Sequence, residues 1–143
     1  WKRMAPPPSL EIFNAPSREV TCVRRERTNT PLQALVTMND PQFVEAARNL
    51  AQHAIQKVGN DTTKIIDHIA REVLCRPLRT NELPIIQASH TDLEAFYKDH
   101  ADDAKLLLGV GESNPDASLN PVQLAAWTMV CNQLMNLDEV LNK

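Results

Sequence analysis

Residues 30–59, TPLQALVTMNDPQFVEAARNLAQHAIQKVG, decide the fold, because two helix starts follow one another within them. Thr30 and Gln33 enclose a proline in the pattern of a capping box, in which the Thr hydroxyl and the Gln side chain satisfy free amides of the first turn. This pattern predicts a short helix over residues 31–38.

The second start in this stretch is Asp40, which precedes another proline. Apolar residues then recur at helical spacing up to Gly59, which is a suitable residue to end a helix. The apolar positions are Phe43, Ala47, Leu50, Ala51, Ala54, Ile55 and Val58. We therefore predict a long amphipathic helix over residues 41–58 that turns this face toward the core.

Working outward, the same signals predict further helices. The expected helices run from Asp61 to Pro77, from Thr80 to His100, from Asp102 or Asp103 to Leu108, and from Asn120 to Asn136. Residues 136–141 are expected to turn back, and Gly, Ser, Asn and Pro over 109–115 predict a flexible loop. Three glycines and few alternating β-branched runs disfavour strands. The prediction is an all-α, irregular multi-helix bundle with Phe43, Leu50, Leu124 and Leu134 in its core.

Residues 1–30 differ from the rest of the chain and are predicted to form an extended, basic, Pro-rich arm, followed by a helical domain over residues 31–143. Three consecutive prolines at 6–8 favour polyproline II, and residues 19–23 resemble a strand without a partner. The arm carries a net charge of +3 and the remainder −6. Either the arm lies on the acidic helical body, or it keeps a basic surface free for an outside partner.

Length and composition exclude several classes of protein. A chain of 143 residues with 43% hydrophobic content suits one core. Its acidic balance, with no aromatic residues among the arginines, argues against a nucleic-acid partner. It has no apolar run of the length that a membrane-spanning helix needs. Because the chain starts at Trp1 without a Met, we expect a fragment of a longer protein.

The residues that usually carry chemistry are not arranged in a catalytic or metal-binding pattern. The sequence has no CxxCH, HExxH, paired CxxC, GxSxG or SxxK motif. We therefore predict no catalytic residue, no metal site and no cofactor in this chain. The four histidines are expected to be exposed or locally hydrogen-bonded, and Cys75 and Cys131 to be small buried hydrophobic residues. Cys22 is not assigned a role.

The densest cluster of one residue type is basic, and it lies just before the first predicted helix. It consists of Arg18, Arg24, Arg25 and Arg27. Guanidinium groups beside a helix start can hold a carboxylate, sulfate or phosphate. Because Glu19 and Glu26 are interleaved with the arginines, internal ion pairs that pin the arm are the preferred interpretation, and anion or partner recognition is the alternative.

The first third of the chain resembles a known family. The strings PPPSL, APSRE, RRERTNTPLQAL and NDPQFVEAAR within residues 1–52 are similar to the C-terminal domain of unknown function of planctomycete-type exported multidomain proteins, and LCRPLRTNEL and AAWTMVCNQLMNLDE continue the resemblance more loosely. Such proteins often begin with a cytochrome c-like domain. The resemblance implies a periplasmic or cell-surface location and implies no known reaction.

Three functions remain open. The leading hypothesis is a non-catalytic helical module that packs against or supports upstream domains of the same protein. One alternative is a module that binds anionic polysaccharide or another acidic partner through the four arginines. Another is a part of an enzyme whose site is completed by upstream domains.

Overall fold

A computed structural model of the chain describes residues 8–16, 21–24 and 26–141, and within these ranges it contains eight helices and no strand. The helices are α1 (Pro8–Ile12), α2 (Pro31–Asn39), α3 (Pro41–Val58), α4 (Thr62–Leu74), α5 (Leu83–Asp99), α6 (Ala101–Leu108), α7 (Pro121–Met135) and α8 (Asp138–Leu141). The predicted all-α class is confirmed.

Helix α7 lies at the centre of the bundle, because it packs against α2, α3, α4, α5, α6 and α8. Its side chains are buried on almost all sides, with Leu124, Ala125, Ala126, Trp127, Val130, Cys131 and Leu134 in the core. The facing surface of α3 is lined by Ala47, Ala51 and Ala54, each completely buried. These small side chains let the two helices approach closely. Burial of each large apolar side chain contributes about 1.5–3 kcal/mol to stability.

Four predicted helix starts are formed as the sequence indicates. The Thr30 hydroxyl accepts a hydrogen bond from the Gln33 amide, and the Gln33 side chain accepts one from the Thr30 amide. The side chains of Asp40, Asp61 and Asn120 accept hydrogen bonds from amides of α3, α4 and α7 respectively. Gly59 ends α3 with a positive φ of 75°.

Other predictions on the helical body need correction. Helix α5 begins after Glu82, not at Thr80. Phe43 and Leu50 are only half-buried, and the Phe43 ring contacts the ring of Phe13 at a centroid distance of 6.1 Å, whereas Leu124 and Leu134 are buried as predicted. Cys75 is exposed because it follows the last residue of α4 in a left-handed conformation, which turns its side chain away from the core. Cys131 is buried as predicted.

The predicted extended arm is helical in part. Residues Pro8–Ile12 form α1, which packs against α2. Of the predicted strand-like segment, residues 21–23 are described and contain no strand. The polyproline prediction at residues 6–8 is wrong at Pro8, which begins α1, since proline is tolerated at the first position of a helix. Residues 6 and 7 of that prediction, and residues 19 and 20 of the strand prediction, fall outside the described residues.

Candidate functional site

Helix α2 exposes apolar side chains and buries polar ones. Its outer face carries Leu32, Leu35 and Met38, which are 54%, 59% and 43% exposed. Its two fully buried side chains are Gln33 and Thr37, each 2% exposed. A surface helix normally shows the opposite arrangement, with apolar residues inward and charged residues outward. The sequence of α2, PLQALVTMN, contains no charged residue. We call Leu32, Leu35 and Met38 the α2 face.

The inner side of α2 is held by hydrogen bonds to distant parts of the chain. The Gln33 side-chain amide donates to the Ile12 carbonyl at 2.9 Å and to the Thr28 hydroxyl at 2.8 Å. The Thr37 hydroxyl lies 2.7 Å from Oδ1 of Asn136, to which it donates. The Asn132 side chain donates to the Thr37 carbonyl at 3.2 Å. These bonds fix the orientation of α2, and therefore they hold the α2 face outward.

The basic cluster predicted from the sequence is described only in part. Arg24 and Arg27 are exposed, and neither forms an ion pair with another described residue. Arg18 and Arg25 lie outside the described residues, so the predicted cluster is not seen as a unit. The preferred interpretation, internal ion pairs with the helical body, is not met by Arg24 and Arg27 within the part of the chain that the structure describes.

The loop after α6 is held by two charged residues of α3, contrary to the predicted flexible connection. The Arg48 guanidinium donates to the carbonyl oxygens of Leu108, Val110 and Ser113. The Glu45 carboxylate accepts hydrogen bonds from the Ser113 hydroxyl and from the amides of Glu112 and Ser113. The Ser113 hydroxyl bond, followed by the amide bonds, lowers the pKa of Glu45 from 4.5 to about 2. The two side chains also form an ion pair of 3.5 Å with each other, and the Nε atom of Arg48 is buried without a hydrogen-bond partner among the described residues.

A second network of charges is centred on Arg76, which follows the end of α4. Arg76 donates two hydrogen bonds to Glu139, each 2.8 Å long, and two to Glu82, at 2.8 and 3.0 Å. The hydrogen bond from Arg76, followed by the backbone amide of Arg79, lowers the pKa of Glu82 to about 2. This network links the segment after α4 to the start of α5 and to α8.

Two histidines, His68 and His90, differ from the prediction, because each has a buried Nε2 atom without a hydrogen-bond partner among the described residues. His90 is 6% exposed, and its ring stacks on Trp127 at a centroid distance of 3.9 Å. Burial lowers the pKa of His90. The ring centroids of His53 on α3 and His68 on α4 lie 5.7 Å apart. No group of three or more His, Cys, Asp or Glu side chains able to hold a metal ion occurs among the described residues.

The α2 face was not predicted from the sequence, although the sequence of α2 contains a signal for it. Leu32 and Leu35 lie one turn apart in a nine-residue helix that lacks charge, and the residues between them include Gln33. Exposed contiguous apolar surface of this kind usually marks an interaction site. The helices of the described residues include none that is both long and apolar enough to cross a bilayer.

More than half of this chain matches a known protein family. Residues 1–90 match the model of a family described as PSD1, a protein of unknown function (DUF1553). The chain belongs to this family. The match contains α1 to α4 and the first part of α5, and therefore the whole α2 face. Helix α7, around which the DUF1553 segment packs, lies beyond the match. No curated protein and no solved structure gave a significant match to this chain.

Proposed function

We propose that this DUF1553 chain is a non-catalytic helical module that packs through the α2 face against upstream domains of a larger protein. The inverted arrangement of α2, with polar side chains inside and Leu32, Leu35 and Met38 outside, carries this proposal. A helix whose solvent side is apolar and uncharged is suited to a protein surface that also lacks charge at its centre.

Docking of the α2 face gains a modest free energy from each of its three side chains, and these contributions add up. Complete burial of a Leu or Met side chain contributes about 1.5–3 kcal/mol. Because the three side chains of the α2 face are about half-exposed, each has on the order of 1 kcal/mol still to gain. Contact energies of this size suit domains of one protein, since their linkage keeps the effective concentration high.

The test is binding of the upstream domains, produced separately, to this chain by isothermal titration calorimetry. Leu35→Gln is expected to weaken binding about fivefold or more, because it places an amide at the centre of the interface. Leu106→Gln is the matched control, since Leu106 is 72% exposed on α6, away from α2. Equal affinity of the Leu35→Gln variant and the wild type would contradict the proposal.

A second candidate function is recognition of an anionic polysaccharide. Its support is that Arg24 and Arg27 are exposed and have no ion pair with the described residues. Sulfate and carboxylate groups are bound well by guanidinium groups. For either function we propose a periplasmic or cell-surface location, on the basis of the family resemblance in residues 1–52.

A further inference from the structure

Helix α5 carries a second apolar surface, on a different side of the bundle from the α2 face. Helix α5 packs against α4, α6 and α7, whereas α2 packs against α1, α3 and α7. The outer side of α5 contains Ile85 and Phe96, which are 67% and 47% exposed. They border a groove of about 780 Å³ that runs along α5 and reaches Gln133 of α7. We call this the α5 groove.

The floor and one end of the α5 groove are held in place. The Ser89 hydroxyl donates to the side-chain oxygen of Gln133 at 2.8 Å, which ties α5 to α7 beneath the groove. The Phe96 ring stacks on the His100 ring at 4.3 Å and meets the Tyr97 ring edge-on at 5.2 Å. An exposed aromatic ring that is already oriented loses little entropy on binding, which suits it as an anchor for a partner.

The charges beside the α5 groove have one sign. Asp92 lines the groove, and Asp99 follows seven residues later on the same side of the helix. Both are exposed, and neither forms an ion pair with another described residue. The lysine of α5, Lys98, is paired with Glu94 at 3.1 Å. The surface therefore combines an apolar groove with two carboxylates.

We propose that the α5 groove binds a basic amphipathic helix of a partner protein. Residues 85 to 96 of an α-helix span about 16 Å, which corresponds to three turns of a helix laid alongside. Such a helix would place apolar side chains at i, i+3 or i+4, and i+7 on Ile85 and Phe96, and its Lys or Arg side chains near Asp92 and Asp99. The proposal is independent of the function proposed for the α2 face.

The test uses the whole chain and a fluorescent 14-residue peptide of Leu and Lys with Leu at helical i, i+3, i+4 and i+7 spacing. Fluorescence anisotropy is expected to give a saturable curve with one peptide per chain. Phe96→Ala should weaken binding about fivefold or more. The Asp92→Asn/Asp99→Asn variant should weaken binding and reduce its dependence on salt, because two carboxylates near the peptide lysines are lost. Both variants change exposed residues, so circular dichroism should show an unchanged fold.

Three controls decide whether the peptide occupies the α5 groove. Leu106→Ala, on the exposed side of α6, should bind within about twofold of the wild type, since it lies outside the groove. A Leu and Glu peptide with the same spacing should not bind. Binding of the Glu peptide as tight as the Lys peptide, or equal loss in Leu106→Ala and Phe96→Ala, would overturn the proposal. A wild-type dimer that Phe96→Ala converts to monomers would also overturn it, because a second copy would then fill the groove.

Discussion

The guanidinium group of Arg48 holds Ser113 by two hydrogen bonds, one to its carbonyl oxygen and one to its hydroxyl, each 2.7 Å long. The two residues are 65 positions apart, and Arg48 is 1% exposed. Since the same side chain also binds the Leu108 and Val110 carbonyls, one residue of α3 closes the end of α6 and shapes the loop that follows.

Replacing Arg48 with Met should lower the free energy of unfolding by about 2–5 kcal/mol, because several buried carbonyl groups lose their donor. Chemical denaturation followed by circular dichroism measures this change. Arg71→Met is the control, since Arg71 is exposed and its ion-pair partner among the described residues is Asp67, one turn away on α4. If both variants unfold at the same denaturant concentration, Arg48 does not have the structural importance assigned to it.

Gly111→Ala should destabilise the protein by about 1–3 kcal/mol, because Gly111 has a φ of 100° and an added Cβ would collide with the Glu45 side chain. Gly109→Ala is the matched control: Gly109 has a negative φ of −79° and ordinary room for a Cβ. In a double-mutant cycle, Glu45→Ala should relieve part of the Gly111→Ala defect. Strictly additive losses would show that the collision is absent.

Stability should fall as the pH drops from about 4.5 to about 2, because the folded-state pKa of Glu82 is about 2 and its ordinary value is 4.5. In this range the unfolded state binds a proton that the folded state does not, so the contribution of Glu82 is complete above pH 4.5 and is lost as the pH falls through 2. Glu82→Gln should therefore be less stable than the wild type at pH 7, and the difference should shrink toward pH 2.

The measurement for Glu82 is urea unfolding at several pH values between 2 and 7. Glu72→Gln is compared in parallel, because Glu72 is an exposed carboxylate of α4. A difference between Glu82→Gln and the wild type that stays constant over the whole range would contradict the assignment to the Arg76 network.

Protonation of His90 should destabilise the fold, because burial lowers the pKa of His90 below 6.5. The unfolded state then takes up a proton first, so the stabilising effect of the neutral ring is complete above pH 6.5 and declines at lower pH. His90→Phe should unfold with a weaker dependence on pH between 8 and 5. His53→Phe controls for the loss of an exposed imidazole, and an unchanged pH dependence in His90→Phe would refute the prediction.

The fluorescence of Trp127 reports directly on the contact between its ring and the His90 ring. In a Trp1→Phe background Trp127 is the remaining tryptophan, and its ring stacks on His90. Its fluorescence should change with pH before global unfolding, and the change should vanish in His90→Phe.

Arg24→Ala and Arg27→Ala should leave the melting temperature within error of the wild type, because both side chains are exposed and form no ion pair with another described residue, and such side chains contribute little to stability. If the polysaccharide function holds, both variants should elute from a sulfated polysaccharide column at lower salt than the wild type. A large loss of thermal stability would instead support the interpretation that the arginines pin the arm to the helical body.

Helix starts could be predicted from the sequence because their stabilising contacts are local. Thr30, Asp40, Asp61 and Asn120 each bind an amide two or three residues further along the chain. The all-α class follows from helical spacing and was predicted correctly, and so were the buried positions of Leu124 and Leu134, which lie on a helix buried on almost all sides. The prediction at Thr80 was wrong because a turn precedes α5, in which the Glu82 amide donates to the Arg79 carbonyl at 3.0 Å. The Glu82 carboxylate stabilises this turn by accepting a hydrogen bond from the Arg79 amide at 2.8 Å.

Only the tertiary structure decided which charges pair and which faces are exposed. A Glu72 to Arg76 pair at i,i+4 spacing requires one continuous helix, but α4 ends at Leu74, so Arg76 is free to bind Glu82 and Glu139 instead. Spacing identifies the two sides of α2 but not which side is buried: the partners of Gln33 and Thr37 include Ile12 and Asn136, 21 and 99 residues away. The sequence by itself determined the all-α class and the four capped helix starts at Thr30, Asp40, Asp61 and Asn120, since these follow from contacts within a turn, and packing between distant segments decided the α2 face and the α5 groove.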